Sequence, residues 1–203
     1  TESPQALNAF IGLAGLFSAA GLFPNLSRKL LAISTSNIDP NDIQNLMAYE
    51  MVNTAHNLYW GNWDKISEFK KSLVDDALKK GEFWNTANYI YSFLYAKFEQ
   101  GDFSQTKRLT GKLFEFGANY DYDLATLLAV AFETMLFLRQ GQLHKAKRNA
   151  ERDLSLCRGH ATMMEVPALG RMAECCILLN DIDGAREAIL HAKTIADQQK
   201  VMP

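Results

Sequence analysis

Apolar and charged residues divide this chain into stretches of helical length. Stretches rich in Leu, Ala, Phe and Tyr alternate with stretches in which charged residues fill one face. Around Gly141, for example, the apolar stretch 134–140 is followed by the basic stretch 144–152. Apolar positions three and four residues apart predict amphipathic α-helices, and no stretch shows the alternation of a β-strand. The pattern therefore predicts an all-α fold.

A turn residue recurs at an almost constant interval. Gly21, Gly61, Gly101 and Gly141 are equally spaced, and Asn180 follows after an interval that is shorter by a single position. Gly and Asn tolerate the left-handed conformation that ends many helices. The residue seven positions before each turn residue is mostly small, which lets the helix backbones approach each other. The residue two positions after each turn residue is large and should fill the seam between the paired helices. These large residues are Phe23, Trp63, Phe103, Leu143 and Ile182.

A fixed period of this size predicts stacked helix pairs. We expect a single domain over 1–203, either alone or as a fragment of a longer protein, with five units at about 4–36, 40–80, 83–117, 121–158 and 162–198. The second helices are expected at 24–33, 64–80, 104–116, 144–158 and 183–198. We expect the second helices of their units to be capped by Asp64, Ser104 and Asp183. We expect Gly117 to end the helix 104–116.

The residues from Gly141 to Ala146 and from Asn180 to Ala185 resemble the tetratricopeptide repeat. The period here exceeds the family's period of about 34 residues, which implies longer helices. Long repeats of this kind resemble those in the helical arm of MalT-type bacterial regulators and related signalling ATPases. The resemblance implies a right-handed superhelical stack, or α-solenoid, of five antiparallel helix pairs. It also implies that the first helix of each pair lines a concave, ligand-binding groove.

Charge separates the two classes of helix. The first helices of the five units carry 3 Lys or Arg residues and the second helices carry 17. A helix that is apolar on most sides must be covered on most sides, so the first helices are expected to form the inner layer. Counting along these helices gives the expected partner-binding residues of the groove. They are Met51, Leu58, Tyr59, Asn88, Tyr91, Tyr95, Met135, Leu138, Arg139 and Glu174.

Tyr91 and Tyr95 allow two interpretations. Four residues apart, they share one face of a helix. Aromatic rings in a groove are good anchors for a partner, but apolar stripes on helices also pack against neighbouring repeats. The two interpretations differ in how much of each ring should be exposed.

The uncharged run 6–23 also has two interpretations. It is just long enough for a short transmembrane helix, which needs about 17–25 apolar residues. Because Gly21, Phe23 and Leu26 keep the repeat register, we favour the buried first helix of the stack. The three cysteines, two of them adjacent, do not form a disulfide framework and favour a reducing, cytoplasmic location.

No motif points to catalysis, to a metal or to a cofactor. His56 and His144 have no Ser or Cys nearby in the sequence, and Cys157 with His160 is too few ligands for zinc. The basic helix after Gly141 is interleaved with Glu151 and Asp153, which favours a solvated face over a phosphate-binding patch. A net charge of −2 argues against nucleic acid as a partner.

The expected function is a non-catalytic protein–protein interaction domain. It would serve as a scaffold or sensor arm of a larger bacterial signalling or transcription-regulating protein, with a protein or peptide segment, or another domain of the same chain, bound in the groove. The alternative is a small-molecule-sensing regulatory domain of a MalT-like ATPase. An enzyme with a scattered active site is the least expected.

Overall fold

The chain is all-helical. The computed structural model describes residues 4–66, 68–157 and 162–199. These residues form ten α-helices and one short 3-10 helix, Trp63–Lys65, and no β-strand. The α-helices are α1 (Pro4–Ala19), α2 (Pro24–Asn37), α3 (Ile43–Tyr59), α4 (Lys71–Lys79), α5 (Phe83–Glu99), α6 (Phe103–Tyr120), α7 (Asp123–Arg139), α8 (Leu143–Cys157), α9 (Thr162–Leu178) and α10 (Ile182–Gln199).

The helices group into two compact units. The N-terminal unit runs to Gln105 and the C-terminal unit begins at Thr106, so the division falls within α6. In the N-terminal unit, α1 packs on α2 and α3, and α3 packs on α5. In the C-terminal unit, α8 packs on α7 and α9, and α9 packs on α10. Consecutive helices are therefore neighbours in both units, as helix pairs require.

The predicted turn residues all adopt the left-handed conformation. Gly21, Gly61, Gly101 and Gly141 have φ between 65° and 78°, and Asn180 has a φ of 60°. At each turn the amide one residue further on reaches back to the carbonyl five residues before it, as in the bond of 2.9 Å from Asp102 to Lys97 at Gly101. This bond satisfies a carbonyl that the end of the helix leaves without a partner.

Two further left-handed residues lie midway between predicted turn residues. Gly81 has a φ of 80° and Asp121 a φ of 51°, between α4 and α5 and between α6 and α7. Asp121 tolerates this conformation because its short polar side chain can bond locally. In this part of the chain the turns therefore follow one another at half the repeat interval, once after each helix.

The residues buried between paired helices near the turns are mostly small. All five residues seven positions before the turns are buried, among them Thr54, Leu94 and Thr134. The residues five positions after the later turns, such as Ala146, are buried too.

The large residues two positions after the turn lie only partly in the seam. Phe103 is 42% exposed, yet its ring meets Phe98 of α5 edge to face, with the centroids 5.8 Å apart. Phe23 and Ile182 are exposed as well, and the Phe23 ring meets Phe17 of α1 at 5.5 Å.

The second helix of the first unit is longer than predicted. The polar residues 34–37, which lie beyond the expected helix 24–33, are the last turn of α2. Their side chains donate to the carbonyl groups four residues earlier, as in the bonds of 2.9 Å from Ser34 to Leu30 and from Thr35 to Leu31. These bonds hold the residues in helical conformation, although the same residue types also favour turns.

The predicted helix 64–80 is interrupted. Only the short 3-10 helix and α4 form within it, and residues 68–70 between them are not helical. Phe69 stacks on Tyr89 of α5 at 5.7 Å and meets Phe93 edge to face at 5.4 Å. The Lys70 amide donates to the Tyr89 hydroxyl at 3.1 Å. These contacts with α5 replace the helical bonds, and Asp64 caps no α-helix.

The other predicted helix boundaries shift by a few residues. Asp102, not Ser104, caps α6 by accepting from the Gln105 amide at 3.1 Å, and Asp181, not Asp183, caps α10 by accepting from the Gly184 amide at 3.0 Å. Gly117 does not end its helix, because α6 continues to Tyr120.

Gly117 is a site of close helix contact. It is buried, and a Cβ atom added to it would overlap the Thr126 hydroxyl of α7. The absence of a side chain at this position therefore allows α6 and α7 to approach closely. Gly159, which follows the expected helix 144–158 directly and was expected to end it, lies outside the described residues.

The apolar run 6–23 divides between α1 and the first turn. Leu7, Ile11 and Ala14 of α1 are buried in one cluster with Leu31 and Val52 from α2 and α3, as the interpretation of a packed first helix requires. Among the described residues, no helix combines the length and the apolarity needed to cross a membrane.

Candidate functional site

The predicted groove residues of α5 lie on its partly exposed face. Asn88, Tyr91 and Tyr95 are partly exposed, whereas most other residues between Thr86 and Phe98 are buried. The two tyrosine rings lie with their centroids 6.2 Å apart, inclined at 48°. They form a continuous aromatic surface at the edge of the core, and their use as partner anchors stays a prediction.

The predicted groove residues of α3 differ in exposure. Tyr59 is 57% exposed, whereas Leu58 is buried. Met51 is partly buried and packs against the core cluster of α1, α2 and α3. Of these three side chains, Tyr59 therefore offers the largest surface to a partner.

The remaining predicted residues belong to the C-terminal unit. Met135 is partly exposed, and Arg139 and Glu174 are exposed. Leu138 packs against the buried cluster of Ala146, Ala150 and Cys175. Each unit thus carries its own set of predicted residues.

A polar network that the sequence did not reveal surrounds His56. The hydroxyl groups of Ser18 and Ser27 lie 3.0 Å from His56 Nδ1 and 2.9 Å from each other. Both also donate to the Ala14 carbonyl, at 2.8 and 3.0 Å. The absence of a serine near His56 in the sequence was therefore misleading, because α1, α2 and α3 bring these residues together.

The His56 network is part of the core. Ser18, Ser27 and His56 are all buried. Burial lowers the pKa of His56, and the positive charges of Arg28 and Lys65 lower it further. The imidazole is therefore held neutral, and its two serine partners satisfy Nδ1 instead of facing a substrate.

A second buried polar contact joins α8 to α9. Asp153 is completely buried, and its Oδ2 accepts from Arg171 Nε at 2.8 Å and from the terminal amino group Nη2 at 2.5 Å. Its Oδ1 is buried without a partner. The prediction that Asp153 belongs to a solvated face is therefore wrong. Its spacing from Ala146, Ala150 and Cys157, all buried, was the signal in the sequence.

The cysteines are buried thiols. Cys157, Cys175 and Cys176 are free and buried, as predicted for the adjacent pair. Burial raises the pKa of Cys157 and of Cys175 to about 11, so both stay protonated at neutral pH. No group of three potential metal ligands occurs among the described residues, and His160 lies outside them.

One cleft of the C-terminal unit opens between α6, α7 and α8. Its volume is about 410 Å³. Lys107 and Lys145 line it together with Glu133, and two aromatic rings, Phe114 and Phe137, complete its walls. No ion pair joins either lysine, or Glu133, to another described residue. These charged groups are thus available to a ligand.

A second cleft opens between α8, α9 and α10. Its volume is about 390 Å³, and its lining includes Lys147, Cys176, Asp181 and His191. Here the lysine is paired within the protein, because Lys147 Nζ lies 2.8 Å from Asp181 Oδ2. The hydrogen bond from Lys147 lowers the pKa of Asp181, and the Gly184 amide contributes to the same effect.

Comparison with known proteins supports the helical fold. No family model matches the chain, and no curated protein matches it. Among solved structures, the chain is similar to the crystal structure of BtubC (BKLC) from P. vanneervenii, with a TM-score of 0.63 and 15% sequence identity. The match covers 88% of this chain and 74% of that one. At this identity the likeness concerns the fold alone.

Proposed function

We propose that this chain is a non-catalytic, tetratricopeptide-like interaction domain. In this proposal its five helix pairs form a right-handed superhelical stack, which serves as a scaffold or sensor arm within a larger cytoplasmic signalling or transcription-regulating protein. The recurring left-handed turns, the small residues in the seams and the fold shared with BtubC support a helical repeat.

The observation that carries the proposal is the aromatic face of α5. This helix is buried on most sides, yet Tyr91 and Tyr95 keep part of their rings at the surface, side by side. Tyrosine combines a large apolar ring with a polar tip and is enriched at protein interfaces. The partner is a peptide or helix segment whose apolar side chain rests on these rings.

The test is binding of peptides selected from a random display library. We expect Tyr91→Ala and Tyr95→Ala each to weaken the affinity of a selected peptide by about 1–3 kcal/mol, as for interface anchors. Phe103→Ala is the matched control, because it removes another partly exposed aromatic ring of the N-terminal unit from outside the predicted groove.

Melting temperatures decide between an anchor and a core residue. An anchor variant keeps nearly the wild-type melting temperature and loses affinity. If the tyrosine variants melt early and, while folded, bind with full affinity, the rings are core residues and the groove assignment fails.

The two clefts favour a second candidate function, the sensing of a small molecule. Their volumes of about 410 and 390 Å³ fall within the usual range of small-molecule sites, about 300–1,000 Å³. In that function, a ligand in a cleft would shift the packing of neighbouring helices, as expected of a regulatory arm.

A further inference from the structure

The two clefts of the C-terminal unit are equivalent by the repeat. Each is flanked by the second helices of two successive units and floored by the first helix between them. Lys107 and Phe114 lie one repeat interval before Lys147 and Leu154. Phe137 precedes Cys176 by the slightly shorter interval that also separates the turn residues of these two units. The two clefts can therefore be compared position by position.

The α8–α10 cleft contains its own carboxylate. Asp181 follows the turn residue Asn180 directly, and its Oδ2 pairs with Lys147 at 2.8 Å. Its Oδ1 accepts from the Gly184 amide at 3.0 Å. The carboxylate thus joins the lysine of one helix to the first turn of the next.

In the α6–α8 cleft an amide replaces that carboxylate. Gln142 follows Gly141 directly and occupies the position of Asp181, while Lys107 occupies the position of Lys147. Lys107 has no acidic partner among the described residues. Gln142 donates to Gln140 at 2.8 Å, but its own Oε1 is buried without a partner. This cleft therefore has the lysine but not its counter-charge.

Further positive groups surround the α6–α8 cleft. Lys145, in the position of Gly184, lines it and lies 5.8 Å from the centroid of the Phe137 ring. The Arg152 guanidinium lies 5.7 Å from the centroid of the Phe114 ring, which also lines the cleft. Because Asp153 points into the core, it does not offset these charges at the surface.

One acidic group also faces the cleft. Glu133 of α7 lines it and has no ion pair with another described residue. A ligand anion must therefore present its carboxylate to the lysines and an N–H or ammonium donor to Glu133. Amino acids and peptides carry both groups close together.

We propose that the α6–α8 cleft binds a carboxylate of an amino acid or acidic peptide, which takes the place that Asp181 fills in the α8–α10 cleft. Lys107 pairs with this carboxylate, Lys145 adds a second cation, and Glu133 accepts from the ligand's nitrogen. This site is separate from the tyrosine face of α5 and does not depend on the function proposed for that face.

The experiment uses two probes that share this chemistry. Free L-glutamate and a short glutamate-rich peptide are titrated into the intact chain at low salt by calorimetry, next to the same peptide with glutamine in place of glutamate. Both peptides have an acetylated N-terminus and an amidated C-terminus, so that only the glutamate side chains supply a carboxylate. Binding of free glutamate as tight as that of the peptide identifies a small-molecule site. Binding of the peptide alone identifies a partner segment.

Two variants test the position of the site. Lys107→Gln removes the pairing cation, and we expect an affinity loss of about tenfold, as for one charge-assisted contact. Gln142→Asp supplies the missing carboxylate from within the protein, and we expect at least a similar loss, because the internal acid occupies Lys107. Asp is compatible with this turn position, since Asp102 and Asp181 occupy it at other turns.

Two controls make the result specific. Lys80→Gln removes an exposed lysine of the N-terminal unit and should leave affinity unchanged, which separates a local site from general charge attraction. Tyr91→Ala should also leave it unchanged, so that failure of the groove and failure of this site are distinguishable. The proposal is overturned if neither glutamate probe binds at millimolar concentration, if the glutamine peptide binds equally well, or if both cleft variants bind like the wild type.

Discussion

Two buried polar contacts, one in each unit, are built in different ways. In the N-terminal unit, His56 lies against two serine hydroxyls, at 3.0 Å from each, and every member can be neutral. In the C-terminal unit, Asp153 meets Arg171 at 2.8 and 2.5 Å, and the contact is between full charges. A neutral network can share its protons among several acceptors. A charged pair depends on a single partner to offset the cost of removing each charge from water.

The titration of the two sites follows the same physical cause. Burial lowers the pKa of His56 and raises the pKa of Asp153, although Arg171 opposes the latter shift. In both cases burial favours the neutral form. The difference is that His56 reaches this form without losing a partner, whereas a protonated Asp153 would leave Arg171 without its counter-charge.

The largest effect is expected from breaking the charged pair. Arg171→Met leaves Asp153 buried and unpaired, and we expect the free energy of unfolding to fall by about 3–5 kcal/mol at neutral pH. The loss should be smaller in mildly acidic solution, because Asp153 without Arg171 can take up a proton in the folded state. Urea unfolding at both pH values measures the two losses.

The matched control is Arg186→Met in α10. Arg186 and its partner Asp183 are both exposed, with 3.6 Å between their charged atoms, and such pairs contribute about 0–1 kcal/mol. Equal losses in the two arginine variants would show that the buried pair is no more important than a surface pair.

A smaller loss is expected from the neutral network. In the double variant Ser18→Ala/Ser27→Ala, His56 Nδ1 loses both partners, and we expect a loss of about 2 kcal/mol, as for unsatisfied buried groups. Ser27→Ala alone should cost about 1 kcal/mol, because Ser18 still contacts both Nδ1 and the Ala14 carbonyl. Urea unfolding measures each change.

Ser36→Ala is the control for the serine variants. Ser36 is exposed and bonds only to the Ala32 carbonyl of its own helix, at 3.2 Å. A change within about 0.5 kcal/mol is expected there. A double variant as stable as this control would mean that the hydroxyls around His56 are dispensable.

These two polar sites also show where sequence analysis succeeds and where it does not. The turns were predictable because a left-handed φ restricts the residue type locally, so Gly101 and Gly141 carry their own signal. Asp153 could have been placed in the core from its spacing on α8. The network of His56 could not, because its serines lie 29 and 38 residues away in the sequence.

The same distinction holds for helix boundaries and for the candidate sites. The break before α4 depends on Phe69 reaching Tyr89 and Phe93 of another helix, which no local pattern specifies. The stripe of Tyr91 and Tyr95 follows from helix periodicity alone. The α6–α8 cleft could be recognised only from the sequence and the structure together. The repeat relates Gln142 to Asp181, but only the structure places Lys107 and Lys145 around one cavity.

A still smaller effect is expected from the titration of His56. The folded state holds its pKa below the ordinary value of about 6.5, so in the range between the two values the unfolded chain binds a proton that the folded chain does not. Above the ordinary pKa, His56 therefore does not lower the free energy of unfolding. Below it, the free energy of unfolding falls as the pH decreases towards the folded pKa.

The measurement compares the wild type with His56→Gln at neutral and mildly acidic pH. The wild type should lose more stability on acidification, and His144→Gln, which removes an exposed histidine, should behave like the wild type. If His56→Gln and the wild type lose the same stability on acidification, His56 has the same pKa in the folded and the unfolded chain.

The smallest effect is expected when both members of the charged pair are replaced together. Asp153→Leu/Arg171→Met removes both charges and the unpartnered Oδ1, and fills the space with apolar side chains of similar size. Replacement of a buried ion pair in this way is often neutral or stabilising, so we expect stability within about 1 kcal/mol of the wild type. Together with the single variants Asp153→Leu and Arg171→Met, it completes a double-mutant cycle whose coupling energy should be large. A double variant as unstable as Arg171→Met alone would mean that the charged pair itself, and not the packing around it, stabilises the contact between α8 and α9.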